Sequence, residues 1–306
     1  MTQNNEPRHT QIRCGTILVN DIEKSVALYR DVLHQQVVES GRIDATTAES
    51  WGAPRLVDAK TYLLQPKSKA SCYLRLVQSP DKVMPTPHAT THGWCAYEIN
   101  VEDVFALAEQ LEGTDFTVVG PPKRLDSFAN VIPMQVVGPD QEVLFLNQVL
   151  ASDEHSDLPM ADCTVDRIFI AVLAASDRNA SVLDYENQLA CRNVGTFAIR
   201  YSLINRAFGL DFETKHELSL LQDQRTPLIE VDQYPAVAKP RPVTAGNLSH
   251  GNAMVSLFVN DLDELDLQNT ITEQPIQSDS LLYGGRRSIV IRGLAGECTE
   301  LIEGNR

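Results

Sequence analysis

Between residues 13 and 19 apolar and polar positions alternate, the pattern of a half-buried strand. Asn20 and Asp21 follow as a helix cap, and Ile22, Val26, Tyr29 and Leu33 then fall at helical spacing on one stripe. Val37 and Val38 open another strand, an irregular stretch around Trp51 and Pro54 intervenes, and residues 62–64 and 72–77 read as two more strands. The order is β-α-β-β-β. It starts again with a strand at 94–99, a helix at 101–111 and strands at 117–119, 132–137 and 143–149, the last entered through the turn Gly138-Pro139-Asp140. A third round runs through a strand at 167–172, a helix at 181–189 and strands near 194–199, 217–221 and 228–231. The fourth takes 252–259 as a strand, 261–267 as a helix, and 271–276, 288–291 and 298–302 as strands.

The halves of the chain echo one another. Ser25-Val26, Tyr29 and Leu33 return as Ser181-Val182, Tyr185 and Leu189. Leu63-Leu64-Gln65 returns as Leu220-Leu221-Gln222, Gln78 and Pro80 as Gln233 and Pro235, and His92-Gly93 as His250-Gly251. Collinear matches at a nearly constant offset indicate a duplication. The reading is a polar, flexible tail at 1–10, an N-terminal domain at 11–150, a linker at 151–162 and a C-terminal domain at 163–306. The proline- and glycine-rich stretch 234–248 reads as a crossover between modules.

A net charge of −15 argues against nucleic acid or an anionic membrane as partner, and no apolar run approaches the length that spans a bilayer. The first ten residues lack the apolar core of a secretory signal. The six cysteines are scattered without Cys-x-x-Cys spacing, the usage of a reducing cytoplasm.

Two motifs carry a resemblance: Val19-Asn20-Asp21-Ile22 with Ser25 and Tyr29, and Gly138-Pro139-Asp140 leading into Val143-Leu144-Phe145-Leu146. With them, in register with the duplication, the chain resembles the vicinal oxygen chelate superfamily, which includes glyoxalases, extradiol dioxygenases and bleomycin-resistance proteins. The resemblance implies an α+β fold of four βαβββ modules, paired into two tandem domains with curved mixed sheets, each around a cavity. It also implies that metal ligands, where present, sit on cavity-facing positions of the modules' first and last strands, as His, Glu or Gln.

Alternation along the strands places Cys14, Arg75, Trp94 and Phe145 at those positions of the N-terminal domain, an aromatic face with one guanidinium and no metal site. In the C-terminal domain the same reasoning turns Arg167, Phe169, Glu230, Asn252, Met254 and Glu300 inward. Three readings of Glu230, Glu300 and Arg167 stay open. They are a degraded metal site, its carboxylates paired with Arg167; a metal-free site in which a glutamate moves a proton and Arg167 holds an anion; or a metal site of Glu230, Glu300 and His250. The last would take a divalent Fe, Mn, Zn or Ni. Phe208 and Trp51, on long loops, stand where lids form.

The expected function is metal-independent lyase or isomerase chemistry in the C-terminal domain, on a small aromatic or unsaturated anion. Glu230, Glu300 and Arg167 would be catalytic, with Phe169, Asn252, Met254, Phe208, Arg75 and Trp94 as substrate contacts. The alternatives are a metal-dependent ring-cleaving dioxygenase or glyoxalase-like enzyme, and a non-catalytic small-molecule binding or resistance protein. Assembly as a homodimer stays open.

Overall fold

The structure, a computed structural model, describes residues 10–304 apart from 83, 85, 125–128, 153 and 155. The first module comprises β1 (Gln11–Val19), α1 (Ile22–Asp31), β2 (Gln36–Arg42), α2 (Ala45–Ser50), β3 (Lys60–Gln65) and β4 (Tyr73–Gln78). The second has β5 (Thr91–Val101), α3 (Val104–Leu111), β6 (Thr117–Gly120), β7 (Val131–Val137) and β8 (Val143–Val149). The third has β9 (Val165–Ala175), α4 (Arg178–Gln188), β10 (Arg192–Arg200), α5 (Ser202–Phe208), β11 (Lys215–Asp223) and β12 (Thr226–Gln233). A short strand, β13 (Lys239–Pro240), precedes the fourth module of β14 (Gly251–Val259), β15 (Ile276–Gln277), β16 (Arg287–Arg292) and β17 (Cys298–Glu303).

Each module opens with the same device. Asp21, Asp103 and Asp177 cap α1, α3 and α4, their carboxylates accepting from backbone N–H groups of the first turn; such a cap is worth about 1 kcal/mol. Asp261 caps in the same way, yet it starts only a single 3-10 turn, Leu262–Glu264, in place of the helix expected over 261–267. Of that segment Leu262 alone is fully buried, and Asp263 is drawn outward to pair with Arg287. With so little apolar stripe to bury, a helix gains no packing there.

The strand order corrects the expected pairing of neighbouring modules within 11–150 and 163–306. One eight-stranded sheet runs β15-β16-β17-β14-β1-β4-β3-β2 and therefore joins the first and fourth modules. A nine-stranded sheet runs β10-β11-β12-β9-β5-β8-β7-β6, with β13 attached to β5, and joins the second and third. The seams are antiparallel, β1 on β14 and β5 on β9, whereas β1–β4, β5–β8, β12–β9 and β14–β17 are parallel. In a duplicated sequence the module edges are equivalent, so repeat spacing does not choose which edges meet. The crossover at 234–248 lets the chain leave the second sheet and return to the first.

Side chains from α1, α3, α4 and the facing sides of both sheets form one core, among them Ile17, Tyr29, Leu76, Tyr97, Leu144, Leu173, Tyr185 and Leu257. Gly15 sits hard against the other sheet; a Cβ there would lie 2.7 Å from the Tyr97 ring. Tyr97 crosses this gap and donates its hydroxyl toward the Thr16 and Met254 carbonyls, 2.7 and 2.9 Å away. The repeated tyrosines also have a shared job. Tyr29 donates to Glu142 and Tyr185 to Glu297, and each glutamate folds back over a glycine, Gly138 or Gly293, where a Cβ would fall about 2 Å from a carboxylate oxygen.

The two polar segments of the expected domain plan look different in place. Nine of the ten tail residues lie outside the described residues, while Thr10 is buried and donates its backbone N–H to Asp223. In the linker, Ser156 donates to Gln222 and Asp157 pairs with Arg225, so the described part of this segment packs on the third module. Among the described residues no helix is long and apolar enough to cross a membrane, and all six cysteines are free thiols.

Candidate functional site

The outward faces of the two sheets are the places where equivalent strands converge. On the first, Cys14 and Thr16 of β1, Arg75 of β4, Met254 and Ser256 of β14 and Glu300 of β17 share one side. The Arg75 guanidinium donates to Thr16 Oγ1 at 3.0 Å, Tyr283 Oη at 2.8 Å and Glu300 Oε2 at 3.1 Å. Glu300 also accepts from Ser256 Oγ at 2.6 Å, Tyr283 Oη at 2.7 Å and Trp51 Nε1 at 3.1 Å. The Trp51 ring lies under the guanidinium, 4.3 Å from its carbon to the centroid. Burial works against the Arg75 charge, but Tyr283 and Glu300 more than offset it and its pKa is raised. Every member is buried, so the floor of this cavity is an ion pair with its bonding groups occupied. A cavity of about 90 Å³ remains above it, between Trp51, Tyr283, Leu63 and Leu282. Cys14 sits beside the pair as a buried thiol, its pKa pushed up to about 12 by burial.

The second sheet carries a different set. Pairing of Glu98 with Ile170 and Phe145, and of Glu230 with Val172, puts these residues on one face together with Ala96, Asn147 and Asp232. Tyr201, at the start of α5, closes over them with Phe145, Tyr234 and Phe208. Asn147 donates to Glu98, and Tyr201 Oη donates to Glu230 Oε1 at 3.3 Å. Neither Asp232 oxygen has a donor, and the residue is 1% exposed. It faces Glu230 acceptor to acceptor, an arrangement that one shared proton resolves. Burial, then the Glu230 charge, raises Glu98 and Asp232 well above the carboxylate range. Burial lifts Glu230 to about 7 against the opposing hydrogen bonds from Asp232 and Tyr201. Of the three carboxyls, Glu230 alone keeps partial exposure.

Glu230 and Glu300 are therefore on different sheets and do not form one centre. Arg167 joins neither; it pairs with Asp162 at 2.6 Å and Asp166 at 3.3 Å beside the linker. Its expected inward position fails on register: the spacing that carries Asp21 onto Asp177 carries Cys14 onto Ile170, and β9 turns Ile170, Val172 and Ala174 to the face that bears Glu98. Phe169 packs with Val149, Ile170 and Leu158 near the linker. Asn252 joins the sheets, its amide exchanging hydrogen bonds with the Val143 backbone and its oxygen meeting His88 Nδ1 at 3.0 Å. Met254 is buried against Trp51 and Leu18. Trp94 turns into the core at a bulge in β5 and donates to the Cys298 carbonyl at 2.8 Å. His250, the third member of the expected metal set, contacts Ser79 Oγ at 3.0 Å, just after β4. Arg75 does line the cavity of the first face, and Phe208 packs on the apolar cluster over the second.

Among the described residues no three His, Cys, Asp or Glu groups are placed to hold a metal ion. The donor chemistry agrees. The four equivalent positions hold Cys14, Arg75, Met254 and Glu300 on one face, where the carboxylate is already paired with a guanidinium, and Ala96, Phe145, Ile170 and Glu230 on the other. Neither set offers the converging nitrogen and oxygen ligands a divalent cation needs. Asp232 follows from the same alternation that turns Glu230 inward along β12, and Glu98 had a signal in carrying that of β5 one step beyond Ala96. Tyr283, on a loop without pattern, had none.

A family model described as the Glyoxalase/Bleomycin resistance protein/Dioxygenase superfamily matches residues 9–130. Among solved structures, glyoxalase I from Zea mays is similar at a TM-score of 0.61 with 15% identity, over 96% of this chain and 92% of that one. A Bacillus subtilis protein labelled as a dioxygenase gives a TM-score of 0.62 with 12% identity, over 98% of this chain and 86% of that one. At such identities the likeness is one of fold. No curated protein matches the chain.

Proposed function

We propose that this chain, which belongs to the glyoxalase, bleomycin-resistance protein and dioxygenase superfamily, moves protons on a small molecule held at the outer face of the second sheet. One observation carries the reading: Glu230, partly open to solvent and lifted to about 7, stands against a buried carboxyl with no other partner. A group with a pKa near the working pH serves equally as acceptor and donor of a proton. As carboxylate, Glu230 takes a proton from an acidic C–H of the substrate. Returned to a second carbon, that proton completes an isomerisation; lost with a leaving group, it completes an elimination. Asp232, protonated next to it, donates a hydrogen bond to that carboxylate and adds no second charge. Tyr201 orients Glu230 and, with Phe145, Phe208 and Tyr234, gives an apolar cover that limits water.

The substrate class narrows as well. Arg167 was the reason to expect an anion, and it is committed to Asp162 and Asp166. Three acidic groups under aromatic rings favour a neutral or cationic molecule, which suffers no repulsion there.

The test is deuterium wash-in, read by NMR, for a panel of small neutral and cationic carbonyl compounds in heavy water. The wild-type protein catalyses exchange on at least one of them, and Glu230→Gln lowers that rate about 10²- to 10⁴-fold while leaving the fold intact. Exchange that persists unchanged in Glu230→Gln removes the proposal.

A further inference from the structure

A third feature lies away from both outer faces, where the start of β5 meets the fourth module. A cavity of about 60 Å³ opens there between His92, Trp94, Arg241, Asn247 and the turn around Gly296. That is several times the space one water needs. Arg241 forms its inner wall. Its Nε donates to Thr91 Oγ1 at 3.0 Å, and Nη1 donates to the Trp94 carbonyl at 2.7 Å and the Asn252 carbonyl at 3.1 Å. These bonds tie β5 of one sheet to β14 of the other, which explains why an arginine threads this seam.

They leave two things unexplained. A guanidinium has five N–H groups, and Nη2, buried, has no acceptor. The charge itself also lacks a counter-ion, because no carboxylate pairs with Arg241 among the described residues. Burial pulls its pKa down only to about 10, so it is cationic at neutral pH. Its charge reaches the neighbours: burial first, then Arg241, lowers the pKa of both His88 and His92. His92 Nε2, on the wall of the same cavity, is buried without a partner too. A desolvated charge with unfilled donors is costly to keep, and an oxyanion satisfies both defects at once.

The other charged groups on this cavity do not supply that anion. Arg292, at the rim, is a second cation, donating to the Gly296 carbonyl. Glu297 turns back into its own hairpin, accepting from Tyr185 Oη and the Ala295 N–H, and burial raises its pKa.

We infer that this cavity is a binding site for a small oxyanion, a carboxylate or phosphate group, with one oxygen on Arg241 Nη2 and another on His92 Nε2. The site is independent of the proton-transfer face: its walls come from the seam between sheets, and its ligand has the opposite charge preference. A bound anion would also lock β5 against β14, so occupancy stiffens the joint between the two sheets.

Thermal unfolding and calorimetry of the full chain test this with inorganic phosphate and, separately, acetate, against sodium chloride at equal ionic strength. Saturable stabilisation by either anion beyond the chloride control is the expected result, and the one that acts names the source of the oxyanion. Arg241→Gln weakens binding about tenfold or more. Since that change also cuts the bonds to Trp94 and Asn252, His92→Phe serves as the second variant; it removes no hydrogen bond of the fold and still weakens the anion. Protonation of His92 adds a cation, so in the wild type affinity for acetate, which stays ionised above about pH 6, rises as pH falls, and this dependence vanishes in His92→Phe. The inference is overturned if neither anion acts beyond chloride, or if the folded variants bind as the wild type does.

Discussion

The outer faces of the two sheets are built from equivalent strands and treat their buried acids in opposite ways. On the first, Glu300 receives hydrogen bonds from Arg75, Ser256, Trp51 and Tyr283. On the second, the position equivalent to Arg75 is itself an acid, Glu230, and Asp232 beside it has no donor at all. One carboxylate meets a complete set of donors; burial raises the pKa of each carboxyl in the other group. The difference teaches how a duplicated scaffold divides its labour. The satisfied face is an ion-paired clasp with a cavity above it, and the unsatisfied face holds buried carboxyls whose pKa values are raised.

The largest break in this contrast comes from Arg75→Met. It leaves Glu300 buried opposite nothing positive, and removing one partner of such a pair costs about 3–5 kcal/mol. Urea unfolding should show the loss. Arg75→Met combined with Glu300→Met removes both charges and recovers most of the stability, since well-packed apolar replacements of a buried pair are often neutral. If the single and double variants are equally unstable, the ion pair is not what closes the first face.

A smaller effect separates the faces by pH. A carboxyl whose pKa is raised on folding binds its proton more tightly in the folded state than in the unfolded one. Its stabilising contribution is therefore present below the unfolded value, near 4, and lost as pH climbs through the folded value. For Glu230 the window runs from about 4.5 to about 7, and Glu98 and Asp232 carry the same trend higher. Stability measured by urea unfolding should fall between pH 5 and pH 8. Asp232→Asn, which supplies a neutral amide donor to Glu230, should flatten that slope, each unit of pKa shift removed being worth about 1.4 kcal/mol. Glu300→Gln should leave the slope in place; a slope unchanged in Asp232→Asn would mean that the second face is not acid-loaded.

Much of this was legible in the chain, and the part that was not has physical causes. Periodicity located four modules, and alternation along β1, β4, β8, β12 and β17 turned Cys14, Arg75, Phe145, Glu230 and Glu300 inward. Bulges defeated it elsewhere. The shifts in register within the β5–β9 seam invert the faces on either side, so Trp94 moved into the core and Ile170 out of it. The pairing of first with fourth module was hidden for a different reason: repeats announce their number, while the choice of edge depends on contacts such as Gly15 with Tyr97, distant in sequence. That one error placed Glu230 and Glu300 in a common site.

The smallest expected effect is the sharpest probe of which acid is poised. Tyr201→Phe deletes the single hydroxyl that Glu230 accepts, at 3.3 Å. A bond of that length is weak, of the order of 0.5–1.5 kcal/mol, and it favours the ionised carboxylate, so its loss raises the Glu230 pKa further by up to about one unit. If Glu230 is the base in deuterium wash-in, the midpoint of the pH–rate profile moves upward by that amount while the rate at high pH, where the residue is ionised in both proteins, changes little. Trp51→Phe, the matching deletion at Glu300, leaves the midpoint alone because Glu300 and Glu230 stand on different sheets. A midpoint that follows Trp51 and ignores Tyr201 would exchange the roles assigned to the two faces.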